Sequence, residues 1–209
     1  MAITTLNNRS INRSDTASAD QVWTATSATA SDFQAGGGGK ILQVVNATKL
    51  DTFSSNAMAG GAFVDVTDLS VAITPASASN KILVQVQYTG SRDGTASEYG
   101  QSFGIAIYKS ATGITDGQIS IGDADSNRSR TTSMYNMNYG DVRNINTIPL
   151  IIYDTTGTTN AITYKVQLTQ GFNIGSGTGI IYCNNTAGDG DNYGGMRAAS
   201  TITVMEIEA

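Results

Sequence analysis

Histidine is absent from this 209-residue sequence, which removes the side chain most often used as a general base and as a metal ligand. A Ser-His-Asp triad and a histidine-ligated zinc site are therefore excluded. Cysteine occurs once, at Cys183, so no intrachain disulfide can form. A single cysteine indicates folding in a reducing compartment, or a fold that needs no disulfide.

Basic residues are also scarce. The chain has 12 Lys and Arg against 17 Asp and Glu, a net charge of −5, and its largest local basic group is Arg128 with Arg130. A nucleic-acid-binding protein normally carries a basic stripe, so this class is not expected. No run reaches about 18 apolar residues, so no transmembrane helix is predicted. The N-terminus lacks the apolar centre of a signal peptide, and we expect synthesis in a cytoplasm without membrane insertion.

Short strands dominate the rest of the chain. The stretch "KILVQVQYT" (81–89) alternates apolar and polar residues, the period-2 pattern of a half-buried strand. Turn-forming Gly, Ser, Asn and Asp separate it from further strand candidates at 40–49, 62–67, 69–73, 102–109, 118–122, 146–154, 161–169, 179–184 and 200–208. No amphipathic helix of ten residues is indicated. The pattern predicts an all-β protein, an antiparallel β-sandwich of jelly-roll type over residues 40–209.

The first 35 residues have a different texture. They are polar, keep neither the helical nor the strand period, and cannot bury enough surface to form a core alone. We predict an extended arm over 1–35 whose spaced apolar side chains anchor it to another protein: Ile3, Leu6, Ile11, Val22, Trp23 and Phe33. The alternative is a disordered tail that carries Trp23 without a role. Between arm and sandwich we predict a hinge of four glycines: Gly36, Gly37, Gly38 and Gly39.

Two loops contain groups that resemble ligand sites. The stretch "DADSN" (123–127) opens like a calcium loop, but Arg128 and Met134 replace the glycine and the closing glutamate of that motif, so a polar turn is the favoured interpretation. "AGDGDNYGG" (187–195) offers Asp189, Asp191 and Tyr193 as a candidate surface-ligand loop, with a plain loop favoured.

Catalysis is not predicted. Glycoside hydrolysis needs two carboxylates about 5–10 Å apart, and the sequence has only three glutamates, Glu98, Glu206 and Glu208, in no catalytic motif. We therefore expect a protein that is not an enzyme, with no catalytic residue, no cofactor and no bound metal.

Several stretches together resemble one protein family. "GGGKILQVVNATKLDTFSS", "FVDVTDLSVAITPASASNKILVQV" and the ending "ASTITVMEIEA" are similar to small fibre or appendage proteins of tailed bacteriophages, common among phages of marine bacteria and cyanobacteria. The opening "TTLNNRSINRSDTASADQVWTATSATASDFQAGG" resembles the segment that precedes such domains. The middle, about 90–145, resembles the family least. Where relatives often have a glycine before "LSV", this chain has Asp68.

The resemblance implies a virion structural protein of the tail-fibre, head-fibre or decoration type, made in the bacterial host. It implies docking of the arm on a capsid or tail component, a projecting sandwich and a homotrimer. Two other functions stay open: a receptor-binding module for host attachment through surface glycan or protein, and, disfavoured by the missing carboxylate pair, a depolymerase.

Overall fold

The computed structural model describes residues 21–25, 31–35, 39–58, 61–93, 102–136, 144–170, 179–193 and 195–209. In these residues there is no α-helix, and none is therefore long and apolar enough to cross a bilayer. The strands found there are β1 Gln21–Ala25, β2 Ser31–Ala35, β3 Ile41–Lys49, β4 Phe53–Ser55, β5 Val64–Ile73, β6 Lys81–Arg92, β7 Ser102–Ser110, β8 Gly117–Ile119, β9 Ser133–Asn136, β10 Asn146–Thr155, β11 Ile162–Gln170, β12 Ile181–Cys183 and β13 Ser200–Ile207. The predicted all-β class is confirmed.

The chain divides into two compact units, Met1–Gly39 and Lys40–Ala209. In the first unit, β1 pairs antiparallel with β2, and Trp23 is the register partner of Phe33. These two strands were not predicted from the sequence, and the assignment of 1–35 to an arm stays a prediction. Strand-favouring Val, Trp and Thr outweighed the missing periodicity, and an extended backbone satisfies its N–H and C=O groups by pairing.

The second unit is a sandwich with jelly-roll connections. Among the described residues, one sheet has six strands. Five of them follow the order β3-β13-β6-β12-β4, and the sixth, β10, pairs with the edge of β6 opposite to β13 and β12. The second sheet has five strands, β5-β11-β7-β8 in order, with β9 also paired to β7. The long strands β3, β5, β6, β7, β10, β11 and β13 alternate strictly between the two sheets along the chain. The first and last of these strands, β3 and β13, are neighbours in the six-stranded sheet, as in a jelly roll.

The core fills the space between the sheets. Strand β13 has the burial alternation of a half-buried strand, with Ser200, Ile202, Val204 and Glu206 inward, and β10 alternates in the same way from Ile148 to Ile152. Burial of each large apolar side chain contributes about 1.5–3 kcal/mol. The largest fully buried apolar side chains are Tyr88, Tyr164, Phe103, Met58, Leu69, Ile73, Ile82, Ile105, Ile107, Ile162 and Leu168.

Strand β5 joins two runs that the sequence separates. Residues 62–67 and 69–73 were predicted as two strands, but the structure forms one strand with an irregularity, since the register with β11 shifts between Lys165 and Gln167. Asp68 lies in this irregular stretch with φ 61°, a left-handed conformation that glycine adopts more easily. A glycine at position 68 would fit the same backbone geometry.

In the second unit, two predicted strands are shorter than expected and two observed strands were missed. Strand β8 ends before Ser120 and β12 before Asn184, which have φ 52° and φ 65°. A residue in the left-handed region turns the backbone out of its extended course, and at these two positions the strand ends. The missed strands β4 and β9 have three and four residues, too few for an alternation to be recognised.

Candidate functional site

The predicted anchor residues are only partly placed. Val22 and Trp23 lie on β1 and Phe33 on β2. Ile3, Leu6 and Ile11 lie outside the described residues, as do Gly36, Gly37 and Gly38. Gly39, the last predicted hinge residue, is exposed and belongs to no strand. The assignment of these residues to anchor and hinge stays a prediction.

The candidate loop near 187–195 stands on a rigid polar base. Asn184, in the left-handed conformation, donates from Nδ2 to the carbonyls of Lys49 and Asp51, at 2.9 Å each. Ser200 donates to the Asn184 side-chain oxygen at 2.7 Å, and Ser91 donates to the carbonyl of Asn185 at 2.8 Å. These buried hydrogen bonds fix the point at which the loop leaves the sandwich, because an unpaired partner would cost about 1–3 kcal/mol.

Above this base, the three candidate residues have different environments. Asp189 forms an ion pair with Arg197, in which Oδ2 and Nη2 are 3.0 Å apart and both side chains are partly exposed. Asp191 is exposed, and Tyr193 is fully exposed at 104%. The loop therefore presents an aromatic ring and one carboxylate to solvent, while Arg197 occupies the other carboxylate.

In the part of the chain that the structure describes, no three His, Cys, Asp or Glu side chains lie together in a group that could hold a metal ion. At the "DADSN" stretch, Arg128 instead closes a turn: its backbone N–H donates to the carbonyl of Asp125 at 3.1 Å, and its guanidinium pairs with the Asp125 carboxylate. This geometry is the polar turn favoured by the sequence.

Glu206, one of the three glutamates considered for hydrolysis, has a structural environment. Its side chain is buried and accepts hydrogen bonds from Gln43 Nε2 at 2.5 Å, Asn80 Nδ2 at 2.6 Å and the N–H of Ala76 at 2.8 Å. Burial raises the pKa of Glu206, but the hydrogen bonds from Gln43, Asn80 and nearby backbone outweigh it and hold the pKa below its ordinary value. The hydrogen bonds of this carboxylate connect β13 to β3 and to the 74–80 turn, which is a structural role. Glu98 lies outside the described residues.

One surface was not identified from the sequence, although a signal for it exists. In "IPLIIY" (148–153), Ile148, Leu150 and Ile152 face the core, while Ile151 and Tyr153 are 73% and 60% exposed on the outer face. A strand that is apolar on both faces is typical of burial on both sides. The outer face of the six-stranded sheet is therefore a second candidate for function.

Comparison with known proteins yields matches in structure only. No protein-family model matches the chain, and no curated protein matches it in sequence. Solved structures of infectious bursal disease virus are similar in fold. The Gt strain gives a TM-score of 0.41 at 15% identity, over 88% of this chain and 44% of that chain.

Two further structures from that virus behave alike. T=1 particles derived from the virus give a TM-score of 0.41 at 12% identity, over 88% of this chain and 42% of that one. A VP2 subviral particle gives 0.36 at 12% identity, over 90% and 44%. The chain spans less than half the length of each of these proteins. A likeness at these TM-scores supports no conclusion about function.

Proposed function

We propose that this protein is a structural appendage of a tailed-bacteriophage virion, anchored by its N-terminal arm and projecting the jelly roll as a head. The division of the chain at Gly39 carries the proposal. The described core cluster draws its residues from 58–204, so the sandwich is complete without the first unit. The first 39 residues then supply the segment that binds another virion protein, as the resemblance to phage fibre proteins implies.

The arm supplies the contacts and the glycines supply the freedom of direction. Trp23 is the largest anchor, since burying a ring of that size contributes about 2–3 kcal/mol by area and interface hot spots favour tryptophan. Its register partner in the hairpin is Phe33, so two aromatic residues share one position along the arm. Gly36 to Gly39 let each chain take its own path where head and virion differ in symmetry.

The assembly that we propose is a homotrimer around the fibre axis. Cyclic symmetry closes identical chains into a defined particle component, and the exposed apolar residues of β10 give such contacts a surface. The mass of the purified full-length chain, measured by light scattering, tests the trimer.

Incorporation into particles tests the anchor. Phage that carry a deletion of 2–35, or Trp23→Ala, are expected to produce a folded head that is absent from purified particles or reduced in them. Tyr193→Ala, in the head loop, is the matched aromatic control and is expected to incorporate normally. Prolines at 37 and 38 are expected to lower occupancy without unfolding the head. Normal occupancy of the deletion variant would place the anchor elsewhere.

The fully exposed Tyr193 favours a second function, a receptor-binding module. An aromatic ring beside a carboxylate on a rigid base is a suitable contact for a glycan or a protein on the host surface. Full-length protein that labels host cells, with labelling lost in Tyr193→Ala and kept in Trp23→Ala, would support this role. Equal labelling by both variants would contradict it.

A further inference from the structure

Strand β10 has an open backbone edge. In the part of the chain that the structure describes, β10 pairs with β6 alone, so only one side of β10 carries a ladder of hydrogen bonds. Successive residues of a strand direct their N–H and C=O groups alternately to its two sides. One set of alternate residues in β10 therefore bonds β6, and the other set directs its backbone groups away from the sheet.

The hydrogen bonds of β6 show which residues of β10 form the outward set. The N–H of Thr89 donates to Ser200 Oγ at 2.9 Å, and its carbonyl accepts from the N–H of Asn184 at 2.9 Å. Both groups of Thr89 thus point to the side of β6 that carries β13 and β12. Thr147 is the register partner of Thr89, and their hydroxyls lie 2.9 Å apart. The backbone groups of Thr147 therefore point away from β6, as in a non-hydrogen-bonded pair.

The outward set continues with every second residue and comprises Thr147, Pro149, Ile151, Tyr153 and Thr155. The other end of the strand agrees with this assignment, because the next even-numbered residue, Thr156, donates its N–H toward β6, to the carbonyl of Asn80 at 3.1 Å. The carbonyl of Thr155 is already occupied, since it accepts from Lys109 Nζ. The open edge thus extends from 147 to 153.

Pro149 interrupts this edge because proline has no N–H. Within sheets, proline is confined to positions where its missing N–H would face solvent or where the strand is irregular. Pro149 is exposed and belongs to the outward set, so it removes no hydrogen bond between β10 and β6. On the outward side it removes the donor between Thr147 and Ile151, and its ring lies where a neighbouring strand would approach.

The residues around Pro149 would otherwise form a strong pairing segment. The run "IPLIIY" (148–153) is uncharged and apolar, and segments of six or seven such residues without proline are prone to pair between chains. A charge at an edge is another common protection. Asp154 follows the run, but its carboxylate is largely buried and lies 2.7 Å from Lys109 Nζ. Its charge is therefore not available to protect the edge.

We propose that Pro149 blocks the edge of β10 against pairing with β10 of a second copy. Two antiparallel β10 strands related by a two-fold axis would join two six-stranded sheets into one. With the axis at Ile151, Pro149 lies opposite Tyr153 of the second copy, so each copy lacks one donor and inserts one ring into the ladder. The block acts on backbone pairing only and depends neither on the trimer nor on the virion anchor.

Amide hydrogen exchange of the full-length protein, resolved by NMR, tests whether the edge is open. The N–H groups of Leu150 and Ile152 belong to the set that bonds β6 and are expected to exchange slowly. Those of Ile151 and Tyr153 point outward and are expected to exchange at least about 100-fold faster. Equal protection of the four amides would show that the edge is already paired and would overturn the proposal.

Replacement of the proline tests the block itself. Pro149→Thr restores the donor with a residue that favours strands. Its light-scattering mass is expected to rise to at least about twice that of the wild type, with slowed exchange at Ile151 and Tyr153. Adding Ile151→Pro to Pro149→Thr moves the proline two residues along the same edge and is expected to restore the wild-type mass. Thr147→Pro in the same background is a second relocation.

Three results would overturn the block. The first is a Pro149→Thr protein that is folded by circular dichroism and keeps the wild-type mass. The second is association of Pro149→Thr that persists in both relocated variants, because the contact is then not made by the backbone edge. The third is association that appears only with loss of cooperative melting, which marks pairing of unfolded chains.

Discussion

At the scale of single residues, Glu206 shows how one carboxylate stabilises a join between distant segments. Its three donors come from β3 and the 74–80 turn, and they lie 126 to 163 positions away in the sequence. A buried charge without a cation is stable only when hydrogen bonds replace its hydration. From the sequence, Glu206 was visible as one of few glutamates, but its role depends on partners that only the fold brings together.

Glu206→Gln is expected to lower the free energy of unfolding by about 1–3 kcal/mol at neutral pH, because the amide turns a donor toward donors that remain buried. Glu208→Gln is the control: Glu208 is exposed two residues later, and a change within about 0.5 kcal/mol is expected. Urea unfolding of both variants measures the difference. Equal stability of the two would contradict the structural role of Glu206.

The same carboxylate predicts a pH dependence. The pKa of Glu206 is below its ordinary value of 4.5 in the folded state, so the unfolded chain takes up the proton first. The stabilisation is therefore complete above about pH 5 and is lost as pH falls through 4.5 and below. In Glu206→Gln, the free energy of unfolding should decline less steeply below pH 5, by up to about 1.4 kcal/mol per pH unit. Parallel acid limbs would contradict the shift.

Asp68, in contrast, has a backbone conformation that is unfavourable for a residue with a side chain. Its φ of 61° suits glycine, and its side chain is exposed. Asp68→Gly is therefore expected to raise the free energy of unfolding by a few tenths to about 1 kcal/mol, and Asp68→Val to lower it by more than 1 kcal/mol. Thermal melting of the pair measures both signs, and a destabilised glycine variant would contradict the argument.

At the scale of elements, a buried ion pair joins the two sheets. Lys109 of β7 places Nζ 2.7 Å from Asp154 Oδ2 of β10, and Tyr164 of β11 donates to the same oxygen at 2.8 Å. Lys109→Met or Asp154→Leu alone is expected to cost about 3–5 kcal/mol, since each leaves a buried charge unpaired. The double variant should cost less than the sum of the two, and a double-mutant cycle by urea unfolding measures that coupling. Simple additivity would show that the pair does not join the sheets.

The elements themselves were largely predictable, because a half-buried strand carries its own signature. Strand β6 alternates in sequence and in burial, and its predicted bounds differ from the observed ones only at the C-terminal end. The sequence could not predict where left-handed residues such as Ser120 and Asn184 end β8 and β12, since their φ angles result from the surrounding packing. The hairpin β1–β2 was missed because each strand is only five residues long.

At the scale of the whole molecule, the outer face of the six-stranded sheet illustrates what a sequence cannot specify. Val44, Leu83, Tyr153 and Met205 are unremarkable one by one and lie on strands up to about 160 positions apart. Only the register among four strands brings them into one row. The run "IPLIIY" is a sequence signal for one of these strands, but nothing in the sequence indicates the neighbours that extend the surface.

The division of the molecule leads to a final prediction, that residues 40–209 fold without the arm. The cut leaves Lys40, whose carbonyl accepts from the N–H of Glu208, and it keeps β3 beside β13. The truncated chain is expected to melt cooperatively within a few degrees of the full-length protein.

A second truncation, 50–209, removes β3, whose Val45 and Ala47 pack against the core, and uncovers the edge of β13. Its melting temperature should fall by about 10 °C or more, since several kcal/mol are lost and each shifts melting by about 2–4 °C in a domain of this size. Circular dichroism of both truncated chains on heating provides the comparison. If 40–209 aggregates or melts without cooperativity, the first unit contributes to the sandwich, and the arm is not free to serve as an anchor.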